Sequence, residues 1–203
     1  TWDENWEARP PVVPMPEEFE RGFAEYVRGQ ILELLGDYGQ IDIIWFDGNP
    51  FTRFMPITVE EIRHRQPGIV INPRLHGLVD FETPENRLVD ERPEGWWEGC
   101  LLFNQSADGW GYTANEMYKS TSWFFNVLAR HRTWDGNLLL NCPPRPDGEM
   151  PDRWYARMAE IAAWMERHEQ TLFGVSGGRY PGACNVPVTL AEDGTWYLHL
   201  TET

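Results

Sequence analysis

Asp47 stands at the abrupt end of a β-branched and apolar run, Ile41 to Phe46, and is followed by Gly48. Such a run, bounded by turn residues, reads as a parallel strand covered on both faces. An acid at the carboxyl end of that strand occupies the place where α/β barrels keep their catalytic groups. The plainer reading of the same residue is an Asp that caps the next turn. A second acidic segment, Asp80-Phe81-Glu82-Thr83-Pro84-Glu85, lies just beyond the next strand in a tryptophan-containing stretch. Two carboxylates offered from neighbouring strand ends among aromatic side chains suit glycoside hydrolysis. One attacks the anomeric carbon or activates water, and the other protonates the departing oxygen. Asn72 and Arg74 after the second strand, and Asn141 at the end of the third, are the other polar groups so placed. The spacing of Asp47 and Glu85 is not specific by itself, because many α/β proteins carry acids in such loops.

The elements that must position these groups alternate between α and β. Residues 1–15 are proline-rich and aperiodic, an entry segment. Pro16 opens a helix, with Glu17 and Glu18 complementing its dipole. Phe19, Phe23, Tyr26, Val27, Ile31, Leu34 and Leu35 form an apolar stripe along it. Gly36 or Gly39 ends the helix and the Ile41 strand follows. Thr58 and Glu61 make a capping box for a short helix that stops before Pro67, and residues 68–72 read as the next buried strand. Residues 76–112 read as a long polar loop of functional type. Thr113 with Glu116 suggests a second capping box, opening a helix to about His131 with Phe124, Phe125 and Leu128 inward. Residues 136–141 make a third parallel-type strand, and Pro151 starts a helix with Trp154, Met158, Ile161 and Met165 inward. This alternation argues for a parallel sheet with helices on its faces. After Gly178 the pattern changes to a hairpin, residues 186–190 and 195–200 joined by Glu192-Asp193-Gly194.

Composition narrows the partners. With 32 acidic and 17 basic side chains the formal charge is −15. That charge opposes nucleic acid and anionic membrane surfaces. No apolar run reaches the length of a membrane span, and the first residues do not read as a signal peptide. Three widely spaced cysteines, Cys100, Cys142 and Cys184, read as small hydrophobes rather than metal ligands or a disulfide framework. Asn104-Gln105-Ser106 is a glycosylation sequon of the kind common by chance. The eleven tryptophans give some support to a sugar ligand, whose apolar faces stack on indole. The histidines read as structural: His64 on a helix surface, His131 and His168 as cations at helix ends, His199 in the hairpin, and His76 beside Arg74. Nothing in the composition selects a compartment.

Residues 38–48, Tyr38-Gly39-Gln40-Ile41-Asp42-Ile43-Ile44-Trp45-Phe46-Asp47-Gly48, resemble the nucleophile strand of the α-L-fucosidases of glycoside hydrolase family 29. Further similar motifs follow in the family's order: Asn72-Pro73-Arg74, residues 80–85, Trp97-Glu98-Gly99-Cys100 and Trp110-Gly111-Tyr112. Residues 136–141 and 177–182 complete the series. The resemblance implies a (β/α)8 TIM-barrel catalytic domain of which the later half is present over residues 1–172. Residues 173–203 would then begin a C-terminal β-domain. It implies a retaining exo-glycosidase for terminal α-L-fucose, using neither metal nor organic cofactor. Asp47 matches the nucleophile and Glu85 the general acid/base, while Trp45 and Arg74 match positions lining the sugar pocket. Glu82, Glu91, Glu94 and Glu98 compete with Glu85 for the acid role. Glu98 is the strongest of these and otherwise a substrate-side or loop-anchoring group. If Glu85 is the acid, burial beside aromatic rings should raise its pKa.

The family's early strands carry an adjacent histidine pair and aromatic residues that grip the fucose hydroxyls, and this sequence has no His-His pair. A half-barrel exposes strand edges and apolar helix faces, so self-association or a complementary chain completing the barrel is expected. The expected partner is a fucosylated oligosaccharide or glycoconjugate. The competing readings are a non-catalytic carbohydrate-binding remnant and a related glycosidase with another sugar preference.

Overall fold

The computed structural model of the chain describes residues 16–47, 53–105, 110–178 and 184–200. The entry segment 1–15, Gly48, Ser106 of the sequon and residues 179–182 of the last motif lie outside them. The chain forms two compact units, residues 1–79 and 80–203.

In the first unit, helix α1 spans Glu17–Asp37 and begins one residue after Pro16, with Glu17, Glu18 and Glu20 in its first turn. It buries Ala24, Ile31 and Leu35. The apolar stripe is wider than the buried face, for Phe19, Tyr26 and Leu34 are exposed. Two residues past the helix, Gly39 takes φ +81°, a left-handed conformation that a β-carbon would strain. Gln66 closes this end by donating to the carbonyls of Leu35 and Gly39 at 2.8 and 2.9 Å. Helix α2, Val59–Arg65, carries the expected capping box of Thr58 and Glu61. Glu61 also pairs with Arg28 of α1 at 2.5 Å. That bond, then the Thr58 N–H, pulls its carboxyl down to about 2.

Strands β1, Ile43–Ile44, and β2, Val70–Ile71, pair in parallel, Ile43 opposite Val70 and Ile44 opposite Ile71. Ile44 and Ile71 join Ile31, Leu35, Ile57, Ile62 and Ile69 in one core. The strand expected over Ile41–Phe46 is thus only two residues long and covered on one face, since Ile43 is 57% exposed. Within this unit, α1 and α2 contribute to the cluster that encloses Ile44, and Ile43 stands on the opposite side of the pleat.

In the second unit, β3, Phe81–Glu82, β4, Trp96–Leu102, and β5, Asn137–Asn141, form a parallel sheet in that order. The stretch 76–112 is therefore not a loop throughout. Trp97 and residues 99–102 are all buried, so the strand lacks the alternation that marks a half-exposed one. Helix α4 is Thr121–Thr133, capped by Ser120, whose Oγ accepts from Trp123 N–H at 3.0 Å. The capping box expected at Thr113 and Glu116 does not form. Residues 117–119 instead pair with 103–105, through Gln105 N–H to Met117 O and Lys119 N–H to Phe103 O. Glu116 is buried there and accepts from the Asn104 amide. That bond also removes Asn104 from the surface a glycosylation acceptor needs.

Helix α5, Asp152–His168, places Ile161, Trp154, Met158 and Met165 against Phe103 and Tyr118. A 3₁₀ turn, Glu169–Thr171, leads to an antiparallel sheet of β6, Val175–Gly177, β7, Val188–Ala191, and β8, Trp196–Leu198. The anticipated hairpin is β7–β8, with Gly194 at φ +89° in its turn. His131 is not a solvated cation at a helix end: it is buried and stacked on Trp97 at 4.7 Å. Burial, the larger influence, pulls its pKa below the ordinary histidine value. All three cysteines are free, with Cys100 buried. Four of the nine described tryptophans are packing groups, Trp97 buried and Trp123, Trp154 and Trp164 set against the cores.

Candidate active site

The carboxyl edge of β1 and β2 gathers Trp45, Asp47 and Arg74. Asp47 follows β1 by three residues. Arg74 follows β2 in a single helical turn, α3, Pro73–His76, started by a proline at its favoured first position. Because the strands run parallel, both side chains emerge at the same edge. Arg74 Nη1 lies 3.3 Å from Asp47 Oδ1, and the guanidinium sits 4.9 Å from the centroid of Trp45. Asp47 is 78% exposed and Arg74 22%, so a half-buried cation orients an accessible carboxylate. His76 turns away from this pair, its Nε2 bonding the Ile57 carbonyl at 2.8 Å.

Asn72 holds the edge in place. It is fully buried, and its side-chain amide accepts from Phe46 N–H at 2.7 Å and donates to Phe46 O at 2.8 Å. The amide replaces a strand partner and extends the β1–β2 pairing to the residue before Asp47. Replacing it leaves a donor and an acceptor unpaired in a part-buried place. Asn72→Ala is therefore expected to lower unfolding stability by about 2 kcal/mol. Asn72→Asp, which sets a buried acceptor against the Phe46 carbonyl, should cost at least as much. Urea titrations of the three proteins check this, and equal midpoints would show that the clamp contributes nothing.

Glu85, Glu98 and the competing acids belong to the other unit. Glu85 is exposed on the segment after β3, so the burial beside aromatic rings expected of it is absent within its unit. The backbone of this segment is pinned to β4: Cys100 N–H donates to Pro84 O and Asn86 N–H to Cys100 O, each at 2.9 Å. Glu98 is the third residue of β4, and its Oε2 accepts from Asn137 Nδ2 at 3.0 Å. Glu91 and Glu94 are exposed and Glu82 is half-buried. Among the described residues no group of three His, Cys, Asp or Glu side chains is placed to hold a metal ion. No described helix is long and apolar enough to cross a membrane.

A family profile described as Alpha-L-fucosidase matches residues 4–170. This chain belongs to the α-L-fucosidase family, glycoside hydrolase family 29. Solved members share its fold. α-L-Fucosidase isoenzyme 1 from Paenibacillus thiaminolyticus is 27% identical, with TM-score 0.70 over 93% of this chain and 48% of its own. The α-L-fucosidase from Vibrio sp. strain EJY3 is 25% identical, with TM-score 0.76 over 97% and 36%. A family 29 α-L-fucosidase from Bacteroides thetaiotaomicron, solved as a trapped covalent intermediate with 2-fluoro-fucosyl fluoride, is 20% identical. Its TM-score is 0.71 over 89% of this chain and 47% of that one. The chain thus spans about half the length of these solved relatives or less. A comparison with curated protein sequences gives no match.

Proposed function

We propose that this chain supplies the nucleophile and the acid/base of a retaining hydrolase for terminal α-L-fucosides. The carrying observation is the Trp45–Asp47–Arg74 cluster at a parallel strand edge, in a chain of the fucosidase family. In this reading the parallel strands and their helices are part of a (β/α)8 barrel over residues 1–172. Residues 173–203 begin a β-domain, and further sequence or a second chain completes the sugar pocket. Asp47 attacks the anomeric carbon, forming a covalent fucosyl-enzyme through an oxocarbenium-like transition state. Glu85 protonates the leaving oxygen and then takes a proton from the incoming water, so two inversions give net retention. For this the two carboxyl groups must act about 5–5.5 Å apart. Arg74 offers hydrogen-bond donors to sugar hydroxyls beside the nucleophile, and the Trp45 face suits the apolar side of the ring. Glu98, fixed to Asn137 low on β4, serves as an anchor on the strand. The fucosyl intermediate trapped in the Bacteroides relative supports the retaining course.

The direct test is trapping. Incubation with 2-deoxy-2-fluoro-fucosyl fluoride followed by peptide mass mapping is expected to place one fluorofucosyl group on the peptide bearing Asp47. An adduct on another carboxylate would reassign the nucleophile, and a protein that hydrolyses aryl α-L-fucosides without ever forming an adduct would overturn the covalent mechanism.

A further inference from the structure

Sixteen of the seventeen basic side chains in this protein are arginine, and Lys119 is the single lysine. Its ammonium occupies a defined place. Nζ donates to the carbonyl of Leu102, the last residue of β4, at 2.7 Å and lies 4.2 Å from the Trp123 ring centroid. One carbonyl and one indole face suit a compact point charge, whereas a guanidinium fork would leave donors unpaired in a half-buried site. Burial pushes this amine below the usual lysine range, while both contacts favour its charged form.

Leu102 is also held through its N–H. Its N–H donates to Asn86 Oδ1 at 3.2 Å. Asn86 is the residue after Glu85 and takes φ +49°, a left-handed conformation that asparagine tolerates better than most residues. Its own N–H is bonded to Cys100 O, and the bridge Glu85↔Cys100 sets the candidate acid in register with β4. A continuous path of contacts therefore runs from the ammonium through Leu102 and Asn86 to the backbone of Glu85.

We infer that Asn86 and Lys119 are positioning residues which, by holding the N–H and the carbonyl of Leu102, fix the backbone that carries Glu85. The inference rests on the reading of Glu85 as acid/base. Neither residue touches the sugar; each acts through β4. A general acid displaced by this loss of support should fail most with substrates that depend on proton donation.

Two measurements decide it. Amide hydrogen exchange needs no turnover: in Lys119→Met and Asn86→Ala, the Asn86 and Cys100 amides should exchange about tenfold faster. The β5 amides paired with β4 should stay unchanged. Unaltered exchange at Asn86 and Cys100 overturns the proposal. In hydrolysis, both variants should lose about thirtyfold in kcat/KM on an alkyl or glycosyl fucoside, within the range general acid catalysis supplies. They should stay within about threefold on 2,4-dinitrophenyl α-L-fucoside, whose leaving group departs without a proton. Glu85→Ala run alongside separates the two ideas. If it lacks this contrast, the acid assignment fails; if it shows the contrast and the other two variants do not, the positioning role fails.

Discussion

Asp47→Ala is expected to abolish hydrolysis of an aryl α-L-fucoside, lowering kcat by about ten-thousand-fold or more, the scale of removing a covalent nucleophile. The fold should survive the change. The Asp47 side chain is largely exposed, so its loss opens no buried cavity, and Arg74 keeps its place over Trp45. The vacated volume beside Arg74 suits a small anion. Added azide should therefore restore turnover, and because it attacks opposite the leaving group in one step, the product should be the β-fucosyl azide. Chirality of the product is the informative readout, since a purely structural defect gives no azide adduct at all. Full hydrolysis by the Ala variant would place the nucleophile elsewhere. An azide product of retained configuration would show that a second protein carboxylate still performs the first displacement.

Much of this site was legible because its signals are local. A run of apolar residues broken by Asp47, and Asn72-Pro73-Arg74 after the next run, point to one strand edge, and the structure brings Trp45, Asp47 and Arg74 together there. The Thr58–Glu61 box and the inward faces of α4 and α5 are equally local. The misses share a cause, which is that a distant partner decides the outcome. Thr113 and Glu116 have the spacing of a helix cap, but Glu116 is taken by Asn104 across a hairpin, and the helix waits for Ser120. The strand Trp96–Leu102 hides because Glu98 and Gly99 interrupt its apolar run. Asn72 reads as one more strand-end polar residue, because its two partners are backbone groups of Phe46, 26 positions away. Spacing likewise cannot separate Glu85 from Glu98. In the structure the first lies beside Cys100 and the second opposite Asn137.

Gly99 illustrates how such a distant partner turns a small substitution into a large effect. It lies on β4 opposite Leu138, and a β-carbon added there would land inside the His131 imidazole at Nε2. His131 cannot easily yield. Its Nδ1 bonds the Val127 carbonyl at 2.7 Å, which requires the proton on that nitrogen and leaves Nε2 bare against the strand. Its ring stacks on Trp97, whose Nε1 in turn donates to Trp134 O at 3.0 Å. A β-carbon on Gly136, the residue before β5, would collide with the same Trp97 ring, so two glycines frame one packed aromatic pair. Gly99→Ala is therefore expected to destabilise the protein by about 3 kcal/mol, at the upper end of overpacking costs. The mechanism has a specific signature in a double-mutant cycle. His131→Ala is itself destabilising, through the cavity and the lost stack, yet in that background Gly99→Ala should cost less than about 1 kcal/mol, because the obstructing ring is gone. Denaturant unfolding of the four proteins measures the coupling. Additive effects would mean that strand propensity, and not the collision with His131, explains why β4 carries a glycine at this position.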